Sequence, residues 1–94
     1  MNTEQAQRII RLVASGCGTI TWSRHAIDRM KERNYTPDDV LHIMRTGKIT
    51  KREYNKRACN WKYTVHGNDL DGDEGGTVTA ILNETEIVII TVLA

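Results

Sequence analysis

Ser23-Arg24-His25-Ala26-Ile27-Asp28-Arg29-Met30-Lys31-Glu32-Arg33 places a histidine and two arginines at i, i+4 and i+8. On a helix, steps of four bring side chains onto neighbouring turns of one face, so His25, Arg29 and Arg33 form a single stripe. Such a stripe suits a phosphate: guanidinium groups neutralise and orient it, and an imidazole exchanges protons near neutral pH. Ala26, Ile27 and Met30 fall in the opposite sector and give the helix a core side. A solvated face with Arg33 paired to a carboxylate satisfies the same pattern.

Two further groups bear on that chemistry. Lys48-Ile49-Thr50-Lys51-Arg52-Glu53-Tyr54-Asn55-Lys56-Arg57 carries five basic residues, one acid and one aromatic. In an RNA-gripping segment Lys48, Lys51, Arg52, Lys56 and Arg57 would neutralise phosphates while Tyr54 stacks on a base. A solvated edge strand protected by lysines has the same composition. Beyond it, Ala58-Cys59-Asn60-Trp61-Lys62-Tyr63-Thr64-Val65-His66 alternates with period two. Cys59, Trp61, Tyr63 and Val65 then face the core, and Asn60, Lys62, Thr64 and His66 face away from it. Lys62 and His66 on an open polar face would stabilise charge and move a proton, as metal-independent RNA transesterification requires.

The elements that must hold these groups are legible in outline. Ala6, Ile9, Ile10 and Val13 recur at helical spacing before Gly16, and a short strand, Thr19-Ile20-Thr21-Trp22, follows. Ser23 is placed to cap the striped helix and Asn34 to end it in a left-handed conformation. Thr36-Pro37-Asp38-Asp39 is a second start signal, with a capping hydroxyl, proline at the first position and acids against the helix dipole; Gly47 closes that helix. Strands then follow over 58–66, from Thr77 to Asn83 and from Glu86 to Ala94; the last is apolar on both faces, as in a sheet interior. Helices followed by a meander predict a single α+β domain over 1–94, with a helix in 1–16 and the remaining core in 17–94.

Composition narrows the function classes. A chain of 94 residues holds one modest core, and its working unit can be an oligomer such as a homodimer. Residues 1–66 carry all 13 Lys and Arg against six acids, and residues 67–94 carry six acids and no base. A formal net charge of +1 therefore hides halves of +7 and −6, which either present a basic surface to nucleic acid or attract one another. No apolar run reaches the length of a membrane span, and the first residues lack the pattern of a secretory signal, so a cytoplasmic location is expected. Cys17 and Cys59 are isolated, which signals neither a disulfide framework nor zinc, and Cys59 reads as core. Asp69, Asp71 and Asp73 alternate like a calcium loop, but Glu74 stands where glycine is needed and Ala80 where the bidentate glutamate belongs. We expect an exposed hairpin loop there, and neither metal nor cofactor.

The pattern Ser23-x-His25-Ala26-x-x-Arg29-Met30-x-x-Arg33, the capped helix ending at Gly47, Tyr63-x-Val65-x-Gly67-x-Asp69-x-Asp71-Gly72 and Ile89-Ile90-Thr91-Val92 together resemble an uncharacterised family of small bacterial and phage domains. That family is grouped by fold with the RelE-type ribonuclease toxins. The resemblance covers roughly Thr19 to Ala94. It implies a RelE-like fold, with three helices on one face of a mostly antiparallel sheet of four or five strands. By analogy it implies a toxin-like, metal-independent endoribonuclease whose partner is an antitoxin or another protein. His25, Arg29 and Arg33 match its helix signature and Thr91 its terminal-strand threonine, which joins the RNA-binding candidates. RelE-type enzymes often carry a reactive aromatic or histidine near the C-terminus, where this chain has Val92-Leu93-Ala94. The alternative expectation is a non-catalytic module, such as a phage-encoded inhibitor, that binds nucleic acid or protein.

Overall fold

The computed structural model describes residues 2–93, with Met1 and Ala94 outside them. Helix α1 (Thr3–Ala14) opens on a reciprocal cap in which the Asn2 side chain accepts from the Gln5 amide and the Gln5 side chain accepts from the Asn2 amide. Strand β1 (Thr19–Trp22) leads directly into α2 (Arg24–Arg33), which starts on Ser23 and ends at Asn34 with φ 57°. Ser23 Oγ does two jobs: it accepts from the Ala26 amide and donates to the Ile90 carbonyl, fixing the helix start to the last strand. Helix α3 (Pro37–Thr46) opens on Thr36, whose hydroxyl accepts from the Asp39 amide while Asp39 accepts from the Thr36 amide. The ends of α2 and the start of α3 match the sequence signals, whereas the Asn2 cap of α1 is not among them.

Four strands follow: β2 (Lys48–Asn55), β3 (Asn60–Asn68), β4 (Glu74–Asn83) and β5 (Glu86–Leu93). They join β1 in one sheet of order β1-β5-β4-β3-β2, antiparallel throughout except where β1 runs parallel to β5. The expected α+β class and mostly antiparallel sheet therefore hold, with five strands. Strand β5 is interior, as its two apolar faces suggest. Strand β4 begins three residues earlier than the sequence pattern indicates, because the Asp69 carboxylate accepts from the Asp71 and Asp73 amides and closes the turn within 69–73. The loop expected to be exposed is so over 70–74, but Asp69 is buried, its carboxylate spent on its own turn.

All three helices pack on one sheet face. Ile10 and Val13 of α1, Ala26 and Met30 of α2, and Val40, Ile43 and Met44 of α3 meet Tyr63, Val65, Ile87, Ile89 and Val92 of the sheet in one buried cluster. Burial of each large aliphatic side chain contributes roughly 1.5–3 kcal/mol before chain entropy is subtracted. Ile27, expected in the core sector of α2, is instead 38% exposed. Glycines permit close approach at the end of the sheet near α3: a Cβ on Gly47 would lie 2.6 Å from the Ile43 carbonyl oxygen and closer still to that of His66. The opposite sheet face carries no helix among the described residues.

Candidate nucleic-acid interface

The β2–β3 hairpin is built around one irregularity. Ile49 faces Val65 and Lys51 faces Thr64, so Thr50 is an extra residue in β2. A bulge of one residue inverts the alternation beyond it. Ile49 points into the core, yet after the bulge Arg52 and Tyr54 take the helix side, opposite Tyr63 and Trp61, while Lys51 and Glu53 take the open side, opposite Thr64 and Lys62.

The helix layer meets β2 near its start, where Gln7 accepts from the Ile49 amide. Farther along the hairpin, Tyr54 and Trp61 are 47% and 39% exposed. Their ring centroids are 5.3 Å apart at 67°, and the Arg52 guanidinium lies 5.0 Å from the Trp61 centroid. Three flat or aromatic groups thus sit together on an uncovered surface. At the tip, the Asn55 side chain accepts from the Arg57 and Ala58 amides, leaving Lys56 and Arg57 exposed. Cys59 corrects the sequence expectation of a core residue: it is exposed in the turn with φ 53°. The alternation that assigned Cys59 and Trp61 to the core is real for Trp61, but the helices end short of it.

On the open face, Glu53 stands between two lysines. Its carboxylate lies 3.1 Å from Lys51 Nζ and 3.7 Å from Lys62 Nζ. The hydrogen bond and charge of Lys51, followed by the charge of Lys62, hold the Glu53 carboxyl below the ordinary glutamate range. His66 faces Lys48 across the strand pair and Gly76 on its other side. Its Nδ1 is hydrogen-bonded to the Thr50 hydroxyl, and its ring lies against Gly76, where a Cβ would come within 3.0 Å of Cδ2. Lys62 and His66 are about 13 Å apart along the extended strand, too far to grip one phosphate together. Thr91 is half-buried on β5 and faces Val78, two strands from Thr64.

The helical stripe lies elsewhere. Because α2 packs by Ala26 and Met30 on the helix side, its groups do not share a face of the sheet with Lys62 and His66. His25 and Arg33 are exposed, and Arg29 is half-buried, 3.8 Å from Glu32, with its Nε buried and unpartnered. Arg33 is close enough to Tyr35 to oppose the upward shift of that phenol, which burial and the charges of Asp69, Asp39 and Asp73 produce. Among the described residues no ion pair joins Arg29 or Arg33 to the acidic 69–74 turn. The five residues grouped by sequence as one catalytic set therefore divide between two surfaces. The RNA-binding set divides less: Lys48, Lys51, Arg52, Tyr54, Lys56 and Arg57 share one hairpin, on both of its faces, while Thr91 lies apart on β5. Sequence reasoning missed Trp61 and Glu53 as members of that surface, since their placement depends on the bulge and on where the helices stop.

No helix among the described residues is long and apolar enough to cross a membrane. In comparison with known proteins, the model of a family described as a domain of unknown function, DUF4258, matches residues 22–94, which takes in α2, α3 and strands β2 to β5. No curated protein and no solved structure matches.

Proposed function

The chain belongs to the DUF4258 family, and from the geometry of its hairpin we propose that it is an RNA-binding domain that grips single strands with β2 and β3. The observation that carries this is the exposed Arg52–Tyr54–Trp61 cluster on a hairpin whose tip exposes Lys56 and Arg57. Bases of an unpaired strand present their faces to Tyr54 and Trp61, while lysines and arginines neutralise the backbone. The concentration of positive charge in residues 1–66 supports the same surface. The α2 signature resembles that of a small-domain family grouped by fold with RelE-type ribonuclease toxins, which supports RNA as the nucleic acid, and a protein partner such as an antitoxin would inhibit by covering the hairpin.

Fluorescence anisotropy with a labelled 12-nucleotide single-stranded RNA tests the proposal. Binding should weaken steeply with salt and fall about tenfold or more in Trp61→Ala, since stacking on one aromatic contributes roughly 1–3 kcal/mol per base. Equal affinity for a duplex of the same sequence, or indifference to Trp61→Ala, contradicts it.

One observation favours RNA cleavage as a second reading. His66 is exposed, held through Nδ1 by Thr50, and faced by Lys48. It is placed to take the proton of a 2′-hydroxyl as that oxygen attacks phosphorus while Lys48 stabilises the phosphate; the P–O5′ bond breaks and the 5′-oxygen takes up a proton, giving a 2′,3′-cyclic phosphate and a 5′-hydroxyl. Chelator-insensitive cleavage of total RNA, lost in His66→Ala and retained in His25→Ala, supports that role. Loss only in His25→Ala returns the chemistry to the helix, and no cleavage by the parent protein leaves binding alone.

A further inference from the structure

We propose that Lys51, Lys62 and Thr64 form a phosphate site on the open face, now closed by the carboxylate of Glu53, and that an RNA phosphodiester enters it by displacing Glu53. This inference rests on the RNA-binding reading and names a contact it does not contain, since Arg52, Tyr54 and Trp61 lie on the other side of the hairpin.

The geometry is that of an occupied anion site. Glu53 Oε1 is 3.1 Å from Lys51 Nζ and Oε2 is 3.7 Å from Lys62 Nζ, so each carboxylate oxygen serves one ammonium, as two non-bridging phosphate oxygens would. Thr64 faces Lys51 across the strand pair and stands two residues from Lys62 on the same face, adding a hydroxyl to the donors. Both ammonium groups converge on one anion position, and Glu53 is the anion at hand.

The carboxylate is also replaceable. Lys51 and Glu53 are 67% and 52% exposed in their side chains, and solvent screening leaves ion pairs of that kind weak. Strand β2 is an edge, which leaves its outer side free for an incoming backbone. A lone weak anion competes poorly with a tethered carboxylate. A strand already held by the aromatic cluster delivers its phosphates at high local concentration. Glu53 thus discriminates against small anions and in favour of polymers.

Two probes applied to the full chain and to Glu53→Gln test this. In heteronuclear NMR titrations with inorganic pyrophosphate, shifts should centre on residues 51, 53, 62 and 64, with binding about tenfold tighter in Glu53→Gln and the gain abolished by adding Lys62→Ala. With the 12-nucleotide RNA, Glu53→Gln should also bind about tenfold tighter, and its plot of log affinity against log salt should steepen by about 0.7 for one further phosphate contact. Equal pyrophosphate binding by the two proteins, or shifts centred elsewhere, overturns the site. A pyrophosphate gain without RNA binding by either protein overturns the RNA reading and leaves a site for free phosphate. An unchanged thermal midpoint in Glu53→Gln assigns any gain to the site and not to altered folding.

Discussion

Trp61 is the residue on which the hairpin's binding character rests, because it packs against both Tyr54 and Arg52 while keeping 39% of its surface exposed. Tyr54→Ala should weaken RNA binding several-fold, less than Trp61→Ala, since it removes the smaller ring and leaves the Arg52–Trp61 contact; anisotropy at one salt concentration ranks the two. Asp39 carries a different expectation. Hydrogen bonds from the Thr36 amide, then from the Leu70 amide and the Thr36 hydroxyl, hold its carboxyl below the usual aspartate range against the opposing effect of burial. A carboxyl depressed on folding stabilises fully above its unfolded value, near pH 4, and loses that contribution as pH falls through the folded value. Asp39→Asn should therefore lower the thermal midpoint at pH 7 and narrow its gap to the parent below pH 4. At this scale the sequence disclosed Tyr54 and the basic residues by type alone. It could not disclose Glu53, whose two lysine partners depend on a bulge that sequence alternation does not reveal.

At the scale of elements, the helices were legible because their ends are written in local chemistry: Ser23, Asn34, Thr36 and Pro37 act within one turn of themselves. The hairpin was legible only in part. Its period of two is local, but the face that Trp61 finally exposes depends on α1 reaching only the start of β2. The junction of α3 with β3 yields a stability prediction. Gly47 lies against the His66 and Ile43 carbonyls, and a Cβ on Gly67 would lie 2.9 Å from the Gly47 Cα, so neither position has room for a methyl group. Gly47→Ala should destabilise by about 1–3 kcal/mol through overpacking, measured by chemical denaturation. Trp61→Ala, on the uncovered hairpin, should shift the denaturation midpoint far less. That contrast separates the surface that binds from the elements that fold.

For the whole molecule, composition and element order sufficed for an α+β domain with its helices on one side. They did not indicate that β1 joins β5 in parallel, because that pairing spans most of the chain and leaves no mark at short range. The catalytic set dispersed for a related reason: helical spacing correctly aligned His25, Arg29 and Arg33, and strand spacing correctly aligned Lys62 and His66, but neither reveals which side of the sheet a helix will occupy. Charge acts at this scale as well. The acidic 69–74 turn and the basic hairpin tip lie toward opposite ends of β3, so the two halves of the chain do not cancel locally. RNA affinity should therefore fall with added salt although the net charge is only +1. The most direct measurement is an amide chemical-shift map of the full chain on titration with the 12-nucleotide RNA. Perturbations gathered on residues 48–66 are expected. Perturbations gathered on His25, Arg29 and Arg33 of α2, or none at all, would contradict the assignment of RNA binding to the hairpin.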